Sequence, residues 1–198
     1  MLTTAGRNQL LAATLVTHLS LHSGFPGQTQ ANEISGGSPA YARKGVSWAS
    51  PSGGSVASSN AQVFDVPALT DVNWIGYSSG VTGGTGYGCV PNGAAPQEFI
   101  VDPATDKVLL PAHGYSDTQK ITFYGGTPPG GLTEGVTYFV RDSTTDDFKV
   151  AATSGGTAIN ITSQAAASCV VSKIVTESFG AQGTMTLAIG ATTQAINN

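Results

Sequence analysis

The feature that most constrains this chain is its rhythm: short runs rich in Val, Ile, Thr, Tyr and Phe, each closed within a few residues by Gly, Pro, Asn, Asp or Ser. β-Branched and aromatic residues suit a pleated, half-buried surface, and the punctuating residues supply the turns at which a strand stops. A chain of 198 residues written this way is expected to be mainly β, with one large or two small domains. Only 10% of the residues are charged, yet 40% are hydrophobic and the net charge is −4, so there is apolar surface to bury and little self-repulsion.

Along the chain, Thr3 or Thr4 caps a helix predicted over Ala5–Val16, with Leu11 and Leu15 four apart on one face. From Thr17 the period changes to two, which sends Leu19 and Leu21 into a core and His18, Ser20 and His22 away from it. Strands are predicted over Tyr41–Ala49, Ser55–Val66 and Asp71–Ser78, with Gly53-Gly54 and Gly83-Gly84 as tight turns and Pro67 as a strand end. After Pro91-Asn92-Gly93 a second block begins. Its predicted strands are Lys107–Pro111, Lys120–Tyr124, Thr137–Asp142, Asp147–Thr153, Ala158–Thr162 and Ser168–Val175, the spacing of a small barrel or sandwich. The alternation from Thr184 to Ile189 reads as one more strand.

The small negative charge and scattered Lys and Arg argue against a nucleic-acid binder. The apolar run Leu10 to Val16 is too short to span a membrane, and with Met1 at the start no leader is expected to have been removed. A count of two cysteines, Cys89 and Cys169, does not decide between a disulfide and two thiols. His18 and His22 have the four-residue spacing of zinc ligands without a third ligand, and are expected to be an exposed or interface pair. His113, beside a turn, is expected to make a structural hydrogen bond.

Asp102, Asp106, Asp142, Asp146 and Asp147 fall at predicted turns, where Asp accepts nearby backbone N–H groups; a calcium site is the alternative. No nucleophile elbow, phosphate loop or Cys-x-x-Cys is present, so neither an enzyme nor a cofactor is expected. Trp48 and Trp74 could stack on sugar rings, but the alternation favours burial. Tyr41, Arg43 and Lys44 are the best candidates for subunit contacts, because Arg presents a planar fork to carboxylates and carbonyls; the bland reading is a solvated strand face.

The runs Thr17-His-Leu-Ser-Leu-His-Ser-Gly, Asn32-Glu-Ile-Ser-Gly-Gly-Ser-Pro-Ala-Tyr-Ala-Arg-Lys and Val46-Ser-Trp resemble a family of small bacteriophage proteins described as tail fibre or minor structural proteins. The resemblance continues at Val63-Phe-Asp-Val-Pro, Val72-Asn-Trp-Ile-Gly and Thr82-Gly-Gly-Thr, and resumes at Ser178-Phe-Gly-Ala-Gln-Gly-Thr-Met-Thr-Leu. In such proteins the Gly-Gly-Thr turn is soon followed by the closing segment, so the intervening block is an insertion. That block resembles a β module of phage structural proteins through Ala112-His-Gly, Gly131-Leu-Thr-Glu-Gly-Val-Thr-Tyr-Phe-Val and Asp147-Phe-Lys-Val-Ala.

The architecture implied is a β-sandwich core with one short N-terminal helix, residues 1–91 plus 176–198, carrying an inserted small β-barrel or sandwich domain over 92–175. The function implied is that of a non-enzymatic virion structural protein, assembled in the host cytoplasm and placed on the outer surface of the capsid or tail. It would be a capsid decoration or a minor tail or tail-fibre-type protein. Its expected partners are copies of itself, as a homotrimer or another cyclic oligomer, and major capsid or tail proteins, with no nucleic acid and no membrane insertion. The alternative is a carbohydrate-binding module that attaches the phage to a host surface glycan.

Overall fold

The Thr3 hydroxyl accepts the Gly6 N–H at 3.1 Å, satisfying one of the donors that a helix start leaves unpaired, and α1 then runs over Thr4–Ala12. The computed structural model describes residues 2–12, 15–93 and 95–195. Part of the helix expected to reach Val16, Ala13 and Thr14, lies outside them. Leu15 and Val16 follow α1 in non-helical backbone, so the expected Leu11 and Leu15 face does not form: Leu11 is buried and Leu15 is 64% exposed.

The strands in chain order are β1 (His18–His22), β2 (Lys44–Gly45), β3 (Ser55–Ala57), β4 (Gln62–Val66), β5 (Thr70–Val72), β6 (Trp74–Ser78) and β7 (Gly86–Pro91). They continue with β8 (Ile100–Asp102), β9 (Lys107–Leu109), β10 (Lys120–Tyr124), β11 (Thr137–Arg141), β12 (Asp147–Ala151) and β13 (Val170–Lys173). The last are β14 (Glu177–Phe179), β15 (Gly183–Leu187) and β16 (Thr193–Ala195). The protein is mainly β, and it divides into two compact units: Met1–Val90 with Ser178–Asn198, and Pro91–Glu177.

In the first unit, β2-β1-β6-β7 form an antiparallel sheet in which Leu19 lies opposite Tyr77 and Leu21 opposite Ile75. Those four side chains share one face. Facing them is the β4 and β15 ladder, where Phe64 and Val66 point inward and Val63 and Asp65 outward. Leu19, Leu21, Phe64, Val66 and Leu187 meet in a single core between the two layers, as in a sandwich. Two further ladders, β14 with β5 and β16 with β3, tie the C-terminal segment into the unit.

Several expected strands are shorter because polar side chains replace ladder bonds. The predicted strand Tyr41–Ala49 survives as β2 and a single bridge from Trp48 to Ser58. Asn60 accepts the Ser47 N–H and donates to the Gly45 carbonyl, at 2.7 and 3.1 Å, which splits Ser55–Val66 into β3 and β4. Asn73, whose amide donates to the Ser23 carbonyl at 2.8 Å, interrupts Asp71–Ser78 in the same way.

The second unit is one antiparallel sheet of order β13-β10-β11-β12-β9-β8. Its buried face carries Val108, Ile121, Phe123, Val140, Phe148, Val150 and Val171 in a core of its own. Ala158–Thr162, expected as a strand, is irregular apart from a bridge between Ala158 and Ala151. The sheet is not a closed barrel. It curls until Gln97, ahead of β8, exchanges both backbone hydrogen bonds with Val171 of β13, at 2.9 and 3.0 Å. The free edge of β8 is met by a side chain: Gln164 Nε2 donates to the Val101 carbonyl at 2.6 Å, and Oε1 accepts the Val101 N–H at 3.3 Å.

Candidate functional site

Beyond the two residues of β2, the edge of β1 needs another partner at Leu21. Tyr41 Oη accepts the Leu21 N–H at 2.8 Å, and the Leu21 carbonyl accepts the Ile34 N–H at 3.0 Å. The Tyr41 ring stacks on Phe64, centroids 6.2 Å apart. Two residues on, Arg43 Nε and Nη2 donate to Glu33 Oε1 and Oε2 at 2.8 and 2.6 Å. Its Nη1 donates to the carbonyls of Gly80 and Gly83, at 3.1 and 2.7 Å. Tyr41 Oη completes the set by donating to Glu33 Oε1 at 3.4 Å.

This clamp joins strand β1, the Glu33 segment, the Tyr41 to Lys44 segment and the glycine turn after β6. The hydrogen bond to Glu33 raises the Arg43 pKa against an opposing effect of burial, so the guanidinium is a fixed cation. Burial pushes the Tyr41 hydroxyl well above its usual value and keeps it neutral. A cleft of about 380 Å³ opens beside the clamp, lined among others by Glu33, Ile34, Tyr41, Arg43 and Thr82. The Arg43 donors there are already committed within the chain. The arrangement braces four segments of the chain to one another, with Tyr41 and Arg43 at its centre.

The histidines separate. Four residues of a strand span about 13 Å, too far for one metal ion, and His18 and His22 lie at the two ends of β1. His18 is half-buried, with Nδ1 2.9 Å from Thr17 Oγ1. His22 does face away from the leucine core, as the alternation predicts, but it is fully buried rather than exposed. The reason is a strap, residues 24–33, which covers that face of the sheet. Phe25 packs edge-on against Trp74 at 5.1 Å, and the Ala31 carbonyl lies 2.8 Å from His22 Nδ1. His22 Nε2 is 2.8 Å from Ser20 Oγ, a Ser–His pair that no substrate reaches, since both residues have no exposed surface. Burial lowers the His22 pKa, the bond to Ala31 and the charge of Glu33 oppose that, and Arg43 adds to it.

Lys44 keeps its ammonium near solvent, 3.6 Å from Asp65 and about one-third exposed. Trp74 is buried beneath Phe25, and half-buried Trp48 donates its indole N–H to the Val16 carbonyl at 2.8 Å. In the second unit, His113 Nδ1 accepts the Tyr115 N–H at 2.9 Å, and its ring packs against Tyr115 and Phe148.

The turn aspartates also act locally. Asp102 takes the Ala104 N–H and the Thr105 hydroxyl, Asp106 the Ile161 N–H, and Asp146 the Ala112 N–H. Asp142 pairs with Arg141 and Asp147 with Lys107. Among the described residues, no group of three or more His, Cys, Asp and Glu could hold a metal ion. Cys89 and Cys169 are not joined in a disulfide.

Sequence reasoning missed Glu33, Gln30 and Ser20 as members of these networks. The available signal was glycine inside strands: Gly76 in β6 and Gly86 in β7 mark where the strap comes close to the sheet. No protein-family model, curated protein or solved structure matches the chain.

Proposed function

We propose that the chain is a non-enzymatic structural component of a bacteriophage particle, placed on the outer surface of the capsid or tail and acting in several symmetric copies. One observation carries this reading. Leu21, Glu33, Tyr41, Arg43 and Gly83, which belong to the runs resembling phage structural proteins, all fall in one clamp and hold segments of chain to one another. Side chains used in this way serve a part that keeps its shape within an assembly. A catalytic constellation would instead aim a reactive group into a cleft.

Contacts between copies then use surfaces other than the clamp. Strand β7 is the outer edge of its sheet, has six residues without a charge, and exposes Tyr87. Such an edge is open to ladder pairing across a symmetry axis. The carbohydrate-binding alternative gains nothing from the tryptophans, whose indoles are committed inside the first unit.

The test is a label attached near Pro128-Pro129 and viewed by electron microscopy on intact particles, alongside sedimentation of the purified chain. Label on the head or the tail, with an oligomer in solution, supports the reading. Unlabelled particles, with a monomer at every concentration, overturn it.

A further inference from the structure

Ser20, His22 and Gln30 form a chain of hydrogen bonds in which protons and acceptors do not match. The Ala31 carbonyl can only accept, so His22 Nδ1, 2.8 Å away, carries a proton. In a neutral ring Nε2 is then an acceptor, and at 2.8 Å it takes the single proton of Ser20 Oγ. Gln30 Oε1, 3.2 Å from the same Ser20 oxygen, is left without a proton to accept. Gln30 Nε2 is buried with no acceptor.

Two rearrangements mend this. A half-turn of the Gln30 amide lets Nε2 donate to Ser20, which donates to neutral His22. Alternatively, a proton on His22 Nε2 runs the chain in the opposite direction, from His22 to Ser20 to Gln30 Oε1. The direction of the chain and the orientation of the amide are therefore set by the charge on His22.

The site is too tight to solvate that charge. A Cβ on Gly76 would lie 2.5 Å from Gln30 Oε1 and Ser20 Oγ and 2.6 Å from His22 Nε2. The charged groups that face the ring are Glu33, which favours its protonation, and Arg43, which opposes it; they are locked to each other at 2.6 Å. Strands β6 and β7 contribute Trp74, Gly76 and Gly86, none of which titrates.

We propose that Ser20, His22 and Gln30 are a pH-operated latch on the strap 24–33. Neutral His22 holds the strap over the sheet; protonation places a charge where the packing leaves no room for water to solvate it, and release of the strap, which uncovers the Trp74 indole, relieves that cost. The open form binds the proton more readily than the closed one. Opening therefore begins below about pH 6.5 and gains up to about tenfold per pH unit until the closed form is protonated too.

The test is hydrogen exchange on the full chain at about pH 7.5 and about pH 5, corrected for the intrinsic rate, at the amides of Ser23 and Ile34, whose bonds to Asn32 and Leu21 close the strap. The wild-type opening constant is expected to rise at least about tenfold on acidification, and the His22→Gln variant to show no such rise. In case that variant fails to fold, the wild-type His22 resonances are titrated by NMR in parallel. Their titration should coincide with the loss of strap protection. The proposal is overturned by an opening constant equal at the two pH values, by a rise that survives in His22→Gln, or by His22 titrating under a strap that stays closed.

Discussion

Arg43 grips Glu33 with both ends of its fork, Nε to Oε1 at 2.8 Å and Nη2 to Oε2 at 2.6 Å, with side-chain exposures of 7% and 24%. The remaining nitrogen holds two carbonyls of the glycine turn. A lysine keeps the charge but cannot make the planar, two-pronged contact. Arg43→Lys is expected to cost about 2 kcal/mol, and Arg43→Ala about 3 kcal/mol, because Glu33 loses its countercharge and both carbonyls lose a charged donor in a partly buried site. Urea unfolding reads this as a lower midpoint at unchanged slope. A lysine variant as stable as the wild type would show that the fork geometry contributes nothing.

Gly76 sits beneath the strap, where an added Cβ would meet three polar side-chain atoms at 2.5 to 2.6 Å. Gly76→Ala is expected to destabilise by about 2 kcal/mol through overpacking. Gly180 has no neighbour within 4 Å of an added Cβ and no left-handed backbone, so Gly180→Ala is expected to stay within about 0.5 kcal/mol of wild type. Thermal unfolding of the pair checks both, and equal losses would contradict the crowding account.

The contrast between these glycines marks what the sequence made legible. β10 was found to the residue, Lys120–Tyr124, because its β-branched and aromatic run ends at Gly125, which takes a positive φ. β7 was missed because Gly86, Gly88 and Pro91 leave it without the β-branched and aromatic run that marks a strand, and only pairing with β6 makes it one. The alternation in β1 placed His22 correctly on the face away from the leucines. Its burial depends on a strap with no periodicity of its own. Arg43 stood out as a fork in search of acceptors. Its partner Glu33 sits on an irregular segment, at a distance in sequence that no helix or strand period predicts.

Cys169 is buried, and burial pushes its thiol up to about 11, with Glu134 adding to the rise. The thiolate is the reactive species, so at pH 8 about one molecule in a thousand carries it at this position. An aromatic disulfide reagent at pH 8 is expected to leave Cys169 unmodified in the native protein and to modify it fully once urea unfolds the chain. Mass spectrometry of the Cys169 peptide reads the difference. Rapid modification in the native state would mean that β13 opens locally.

Gln164 lends its side-chain amide to the free edge of β8, taking the place of a neighbouring strand at Val101. That edge also carries Ile100, which is 63% exposed, so without the amide it would combine unpaired backbone groups with an apolar side chain, the pattern that templates strand addition. Gln164→Ala removes both hydrogen bonds and should lower stability by about 1 kcal/mol. The larger effect should be on association: the variant is expected to form higher-mass species as concentration rises, at concentrations where the wild type sediments unchanged. Adding Ile100→Lys places a charge on the same edge and is expected to restore the wild-type profile. Association that persists in the double variant would place the sticky surface elsewhere in the molecule.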